Sequence, residues 1–308
     1  MKTSSLLLGL SLLIGTFACT SETPATTPGT AAAVKELRFT VIPDFNKAKL
    51  AESCQLFADY LAKACGVPVR YEPSADYTAA VNALVSNKVD FAWLGGKTTV
   101  DALDQGEGKV EILATRDIDL AFKTYFIANQ KLVASGKLGK LNSLADLKPV
   151  AKELTFTFGD VNSTSGHLMP RHFLVGAGVD PEQAFKSSGY QASGGHASTL
   201  KAVASGASDL GALNFGYWDK ASDEDKANAP IVFVTPDYVD YAWVVHQRLG
   251  QELIGKLRTA MLALDAGKPE QQAVLAAWGS KAKFVAADAK LWDSIRKVRD
   301  SLPKGFLK

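Results

Sequence analysis

The stretch Ala83 to Gly95, ALVSNKVDFAWLG, contains the end of a helix-periodic run, small polar turn residues, an aspartate (Asp90) and an apolar segment without alternation. Such a segment reads as a strand covered on both faces. Ala202 to Asn214, AVASGASDLGALN, superposes on it without gaps and places Asp209 where the first copy has Asp90. A duplication and a chance likeness between two buried helix-strand units both fit so short a match. Either way, each half of the chain holds one such unit.

Working outward, ELRFTVI reads as a strand, Ala48 to Ala64 as an amphipathic helix, VPVRYE as a strand and Tyr77 to Ser86 as a helix. With VDFAWLG this is βαβαβ, the pattern of a mostly parallel sheet with helices on both faces. After VEILAT and FKTYFIAN the alternation restarts with ELTFTFG, a helix from Gly166 to Ala177, SGYQAS, a helix from His196 to Ala204, and SDLGALN. IVFVTP and YAWVVH then precede a tail of helices. The expected fold is therefore α/β with two lobes, each a mixed, mostly parallel sheet flanked by helices. Lobe one is expected over 36–125 and 236–308, and lobe two over 126–235. Ligands of such sheets bind at the carboxyl ends of the strands beside helix starts, which places the cleft between the lobes and the hinge near Tyr125 and Thr235.

The 308 residues are 47% hydrophobic and 21% charged, with a net charge of only +2, so no basic stripe suggests a nucleic-acid partner and any anion must be held locally. Residues 1–19 read as an export signal: a positive start at Met1-Lys2, an apolar run from Leu6 to Phe17, and Cys19 after small Ala18. GTFAC resembles a bacterial lipoprotein cleavage box, which makes Cys19 a lipidation site, although Thr16 departs from the usual Leu. Residues 20–35, rich in Thr, Pro and Ala, read as a tether. Cys54 and Cys65 lie on one predicted helix whose rise between them is about 16 Å, too far for a disulfide, so two free thiols are expected.

GDVNSTSGHLMP, Gly159 to Pro170, sets Ser163, Thr164 and Ser165 between a strand and a helix. Capping explains one hydroxyl, not three. Three hydroxyls and the free N–H groups of a first turn make an anion cup. Hydrogen bonds to a charged group contribute about 1.5–3 kcal/mol each, so four or five reach the roughly 8 kcal/mol of a micromolar complex. Arg171 lies about 240° round the helix from Ser165 and faces elsewhere. His196, opening a helix after two glycines, is a second donor, though a capping or solvated histidine fits that stretch equally well. His167, His172 and His246 form no HxH or HExxH, so no metal is expected. Nucleotide-binding glycine patterns, CxxC and GxSxG are absent, so neither cofactor nor enzymatic elbow is expected.

DYTAAVNALVSNKVDFAWLGG, FGDVNSTSGHLMPRHFL and GGHASTLKAVASGASDLGALN together resemble the substrate-binding proteins of ABC importers for phosphonate, phosphite and phosphate. The likeness runs from about Leu37 to the C-terminal helices. It implies a periplasmic-binding-protein fold of type 2, an exported monomer that captures an oxyanion between its lobes, and delivery to a permease and ATPase complex. By motif, it assigns ligand binding to Ser163, Thr164, Ser165, His196 and Tyr77, and it matches Tyr125 to a second first-lobe tyrosine. Asp44 and Phe45 stand where many members carry Glu or Gln. WLGG, STSGHLMPRHFL and DYAW resemble members named as selenate-binding components, so selenate or a related oxyanion is the alternative ligand. An acidic cleft residue would favour protonated phosphorus oxyanions, and Asp237 and Asp240 are the candidates. Two other classes remain open at this stage: a hydrolase using Ser165 and a sensory module.

Overall fold

The computed structural model describes residues 35–44, 47–191, 195–279 and 283–303. The expected signal, tether and Cys19 lie outside them. Among the described residues, eleven strands form two sheets. The first contains β1 (Leu37–Val41), β2 (Val69–Tyr71), β3 (Phe91–Leu94) and β4 (Val110–Arg116); the second, β5 (Thr124–Ala128), β6 (Thr155–Phe158), β7 (Ser187–Tyr190), β8 (Leu210–Asn214) and β9 (Ile231–Val234). The chain then returns to the first sheet with β10 (Ala242–His246) and β11 (Phe284–Val285). Strand orders are β11-β4-β10-β3-β1-β2 and β7-β6-β8-β5-β9.

Each sheet has a parallel half, β2-β1-β3 or β7-β6-β8, and an antiparallel half. The mixing exceeds the mostly parallel expectation. A strand arriving from the other sheet enters reversed: β10 inserts antiparallel between β3 and β4, and β5 runs antiparallel to β8 and β9. The two crossings lie side by side. Phe122 and Tyr238 exchange backbone hydrogen bonds of 2.8 and 3.0 Å, and Thr124 N–H donates to Thr235 Oγ1 at 2.9 Å.

Helix α1 (Lys47–Cys65) buries Leu50, Cys54, Phe57, Ala58 and Leu61 at helical spacing against the first sheet. There Phe57 stacks on Trp243 at 4.9 Å and Phe39 stacks on Phe91 at 5.1 Å. Cys54 and Cys65 are both buried free thiols, as their spacing requires. The second sheet is covered on both sides, by a cluster around Phe126, Phe156 and Phe158 and by another around Ile127, Leu200 and Leu213. No helix among the described residues is long and apolar enough to cross a membrane.

The two similar sequence units occupy corresponding places. Asp90 follows α2 (Tyr77–Val85), opens β3, and accepts the backbone N–H of Arg38 from neighbouring β1 at 2.7 Å. Asp209 follows the helix Gly195–Ser205, opens β8, and accepts the N–H and hydroxyl of Thr155 from neighbouring β6, each at 2.8 Å. Each aspartate fixes its strand's register against the adjoining parallel strand at the end remote from the predicted site. Replacing Asp209 with Ala leaves the half-buried Thr155 N–H without its acceptor. Equilibrium urea unfolding is expected to show a loss of about 1–3 kcal/mol, with the two-sheet architecture retained by circular dichroism.

Candidate functional site

The facing ends of both sheets meet around the start of α3 (Gly96–Gln105), which follows β3 directly. A helix start carries free N–H donors, and these are buried. Gly96 N–H donates to Asp240 Oδ1 at 2.7 Å, and Lys97 N–H donates to Thr164 Oγ1 at 2.9 Å. Asp240 comes from the segment leading into β10 and Thr164 from the loop after β6, so one helix start is held by acceptors from both bodies. Glycines permit the approach: a Cβ on Gly95 would lie 3.2 Å from Thr164 Oγ1, and one on Gly96 3.3 Å from Asp240 Oδ1.

The hydroxyl stretch folds into a turn of π-helix, Thr164–Leu168, ahead of the helix Met169–Gly176. The wider turn replaces the single helix expected from Gly166. Ser163 caps it, accepting from Gly166 N–H at 3.0 Å, while its carbonyl accepts from Leu168 N–H at 3.0 Å. The turn lies backbone to backbone on the end of β6, where Gly159 N–H donates to Gly166 O at 2.8 Å. Thr124 donates its hydroxyl to the Ser165 carbonyl at 3.0 Å and pairs with the Tyr238 hydroxyl at 2.6 Å.

His196, fully buried at the start of its helix, has Nδ1 3.4 Å from the Asn214 N–H that points at it. In the neutral ring the proton therefore sits on Nε2. Burial holds the imidazole neutral by lowering its pKa to about 4. Asn214 Nδ2 donates in turn to the Tyr241 hydroxyl at 3.3 Å, and that hydroxyl donates to Asp44 Oδ2 at 2.6 Å. Among the described residues, six side-chain atoms are buried with no hydrogen-bond partner: the indole nitrogens of Trp243 and Trp278 in the aromatic core of the first sheet, and Ser165 Oγ, His196 Nε2, Thr199 Oγ1 and Asp240 Oδ2. Such groups carry a desolvation cost of about 1–3 kcal/mol each.

Charge in this region is unusual because the buried carboxyls have raised pKa values. Burial raises Asp240 to about 8, opposed by the Gly96 N–H, and Asp44 to about 7, opposed by the Tyr241 hydroxyl. Tyr77, the first residue of α2 and fully buried, is pushed well up by burial and then by Asp44 and Asp160, against the Ser163 hydroxyl. Two cations of the first body are committed elsewhere. Lys97 Nζ turns to Asp101 at 3.0 Å and Asn162 at 2.9 Å, and Arg116 is clamped by Asp119 through two bonds of 2.6 Å. The Arg116 guanidinium lies 5.0 and 5.1 Å from the ring centroids of Trp93 and Tyr241, which stack on each other at 5.4 Å.

Of the residues singled out in the sequence, Tyr77, Ser163, Thr164, Ser165, His196 and Asp240 are buried where the two bodies meet. Tyr125 is not a first-sheet residue. It lies in β5, half-buried, with its ring against Phe215 at 6.2 Å and Trp218 at 6.0 Å. The crossover ends before Tyr125, because β5 begins at Thr124. Asp237 is half exposed and pairs with Lys123 at 3.4 Å on the surface. Sequence reasoning missed Tyr241, Asn214 and the α3 start as site residues. The last was within reach, because Gly95-Gly96 ends an apolar strand at the carboxyl edge, where such sheets bind ligands. A groove of about 500 Å³ lies apart from all of these, lined by Tyr60, Ala64, Glu252 and Lys256.

Comparison with known proteins gives a consistent result. A family profile described as the periplasmic substrate-binding protein of phosphonate ABC transporters matches residues 39–292. A probable ABC-transporter phosphite-binding protein, PhnD1, from Prochlorococcus marinus is 36% identical over 279 residues, covering 88% of this chain and 91% of its own. The phosphonates-binding periplasmic protein of Escherichia coli is 27% identical, covering 83% and 74%. The crystal structure of PhnD1 with methylphosphonate superposes with a TM-score of 0.79 at 35% identity, covering 86% of this chain and 97% of that one. The two-sheet architecture is thus the periplasmic-binding-protein fold of these neighbours.

Two outcomes follow from the geometry. A Cβ at Gly166 would lie 2.9 Å from Ser163 Oγ and 3.2 Å from Gly159 Cα. Gly166→Ala is therefore expected to displace the hydroxyl turn, lowering the thermal midpoint by several degrees and shifting the Ser163 to Ser165 amide resonances. Asp44 and Asp240 have folded-state pKa values above their unfolded ones, so their contribution to stability is complete below about pH 4 and is lost as pH rises through about 7 and 8. The midpoint of the unliganded protein is expected to fall between pH 5 and pH 9, and Asp240→Asn to flatten part of that fall.

Proposed function

Because the chain belongs to the family of periplasmic phosphonate-binding components of ABC transporters, we propose that it captures a small tetrahedral phosphorus oxyanion, phosphite or a short phosphonate, where its two bodies meet. It is the substrate-binding component of an importer, exported from the cytoplasm and working with a permease and ATPase. The observation that carries the ligand reading is the set of buried unpartnered atoms: Ser165 Oγ and His196 Nε2 as donors, and Asp240 Oδ2 as the acid. The hydroxyls of Ser163, Thr164 and Tyr77 stand beside them. Bonds from neutral donors to an anion contribute about 1.5–3 kcal/mol each, so these hydroxyls and the imidazole suffice for micromolar affinity without an arginine or lysine.

The carboxyls favour phosphorus over selenium or sulfur. Burial raises Asp240 to about 8, which would let this carboxyl share a proton with a ligand titrating in the same range, as phosphite, phosphonate and phosphate do, whereas selenate and sulfate hold no proton near neutrality. Hydrolysis by Ser165 has no such support, because the His196 nitrogen free to face it bears the proton and offers no lone pair. In this reading the side-by-side crossings at Thr124 and Thr235 are the hinge between lobes. A lipid on Cys19 tethers the body to the membrane, and mass spectrometry of the mature N-terminus tests that part.

Calorimetry against phosphate, phosphite, methylphosphonate, 2-aminoethylphosphonate, sulfate and selenate is the direct test. Phosphite or methylphosphonate is expected to bind at micromolar Kd or tighter. Ser165→Ala and His196→Ala should each weaken that binding by roughly 10- to 150-fold, the equivalent of one bond to a charged group. Tighter binding of selenate or sulfate than of every phosphorus oxyanion would overturn the reading.

A further inference from the structure

Beneath the hydroxyl turn lies a polar cluster that none of the contacts above uses. Arg171 is completely buried on the helix Met169–Gly176, and each of its nitrogens makes a hydrogen bond. Nε donates to His167 Nε2 at 2.9 Å, Nη1 to Glu182 Oε2 at 2.6 Å, and Nη2 to the Tyr190 hydroxyl at 2.7 Å. The guanidinium lies over the Phe158 ring, 4.8 Å from its centroid, and the imidazole of His167 meets Phe158 and Tyr190 edge to face at 5.2 and 4.9 Å. Packing of this kind leaves neither side chain a second rotamer at low cost.

A guanidinium only donates, so His167 Nε2 accepts and the ring proton must sit on Nδ1. Nδ1–H is 2.8 Å from the carbonyl of Val161, two residues before Ser163. In free imidazole side chains the other tautomer is preferred, so the arginine selects the form that donates to the loop. Burial, opposed by the Val161 bond, keeps the ring neutral by lowering its pKa to about 3. Val161 lies inside a short, internally bonded loop in which Ser163 N–H donates to Asp160 O at 2.9 Å and Asn162 N–H to Asp160 Oδ1 at 2.7 Å. Pinning one carbonyl therefore sets the whole segment.

We infer that Arg171 and His167 are positioning residues for the oxyanion cup: Arg171 fixes His167 as the Nδ1–H tautomer, and His167 holds the Val161 carbonyl so that the Ser163, Thr164 and Ser165 hydroxyls face the ligand. The inference rests on the proposed oxyanion site, since neither residue touches the ligand. It also gives Arg171, the cation nearest this motif in sequence, a role as a brace for a cup that binds by neutral donors.

Amide geometry provides the test. An asparagine side chain places its NH₂ near the position of histidine Nδ1, and a glutamine places its own near Nε2. His167→Asn therefore keeps a donor for Val161, whereas His167→Gln loses it. Phosphite affinity by calorimetry is expected to stay within about threefold for His167→Asn and to fall tenfold or more for His167→Gln, with both variants unfolding cooperatively. Nitrogen-15 correlation spectra of the wild type should show His167 as the Nδ1–H tautomer, and Arg171→Met should shift it toward Nε2–H. Equal affinities for the Asn and Gln variants, or an Nε2–H wild-type ring, would overturn the positioning role. Should the wild type bind no oxyanion, the proposed function fails by itself. The Ser163 to Ser165 amide shifts then judge the brace: displacement in Gln but not in Asn upholds it, and equal displacement refutes it.

Discussion

The start of α3 is buried, and a buried helix start must find acceptors for its N–H groups. It finds one in each body: Asp240 for Gly96, and Thr164 for Lys97. Much of the site follows from that constraint. The glycines at 95 and 96 admit the acceptors, Thr164 is drawn across to the first sheet, and the hydroxyl turn that carries it brings Ser165 to the same junction. A helix dipole directed at this point favours negative charge. The protein has supplied it with a carboxyl whose burial works against ionisation, so the local field is left incompletely matched.

Formal positive charge beside this junction is already committed. Arg116 is paired with Asp119 and lies against the stacked rings of Trp93 and Tyr241, and Lys97 points its ammonium at Asp101 and Asn162. What remains are hydroxyls, a neutral imidazole and two carboxyls of raised pKa. Under the proposed function, such a set would bind an anion through directed dipoles. It would then distinguish ligands by their protons and shape more than by charge, because a buried acid makes binding depend on who carries the proton.

Much of this was legible along the chain. Ser163, Thr164 and Ser165 announced themselves because three hydroxyls at a strand-to-helix junction exceed what capping consumes. His196 was visible for a similar reason, at a helix start after glycines. The Asp90 and Asp209 units were recognisable because both perform the same register-fixing bond. Tyr125 was misplaced because alternation shows that a segment is a strand without showing which sheet accepts it. That choice is made by pairing with β8 and β9, whose residues lie about a hundred positions away. The π-helical turn was also hidden, since it is accompanied by a backbone contact between Gly159 and Gly166 that no local propensity encodes.

Local order in the sequence settled the element types, the existence of two α/β bodies, the free thiols and the residues of the hydroxyl turn, because periodicity, capping and spacing act within a few residues. The partnerships that make a site were decided only in three dimensions. Asp44 and Tyr241 are 197 residues apart, as Lys97 and Thr164 are 67, and no short-range pattern encodes such pairs. They form because strands exchanged between two sheets bring remote loops to one buried point, where each polar group must find a partner or bear the cost of lacking one.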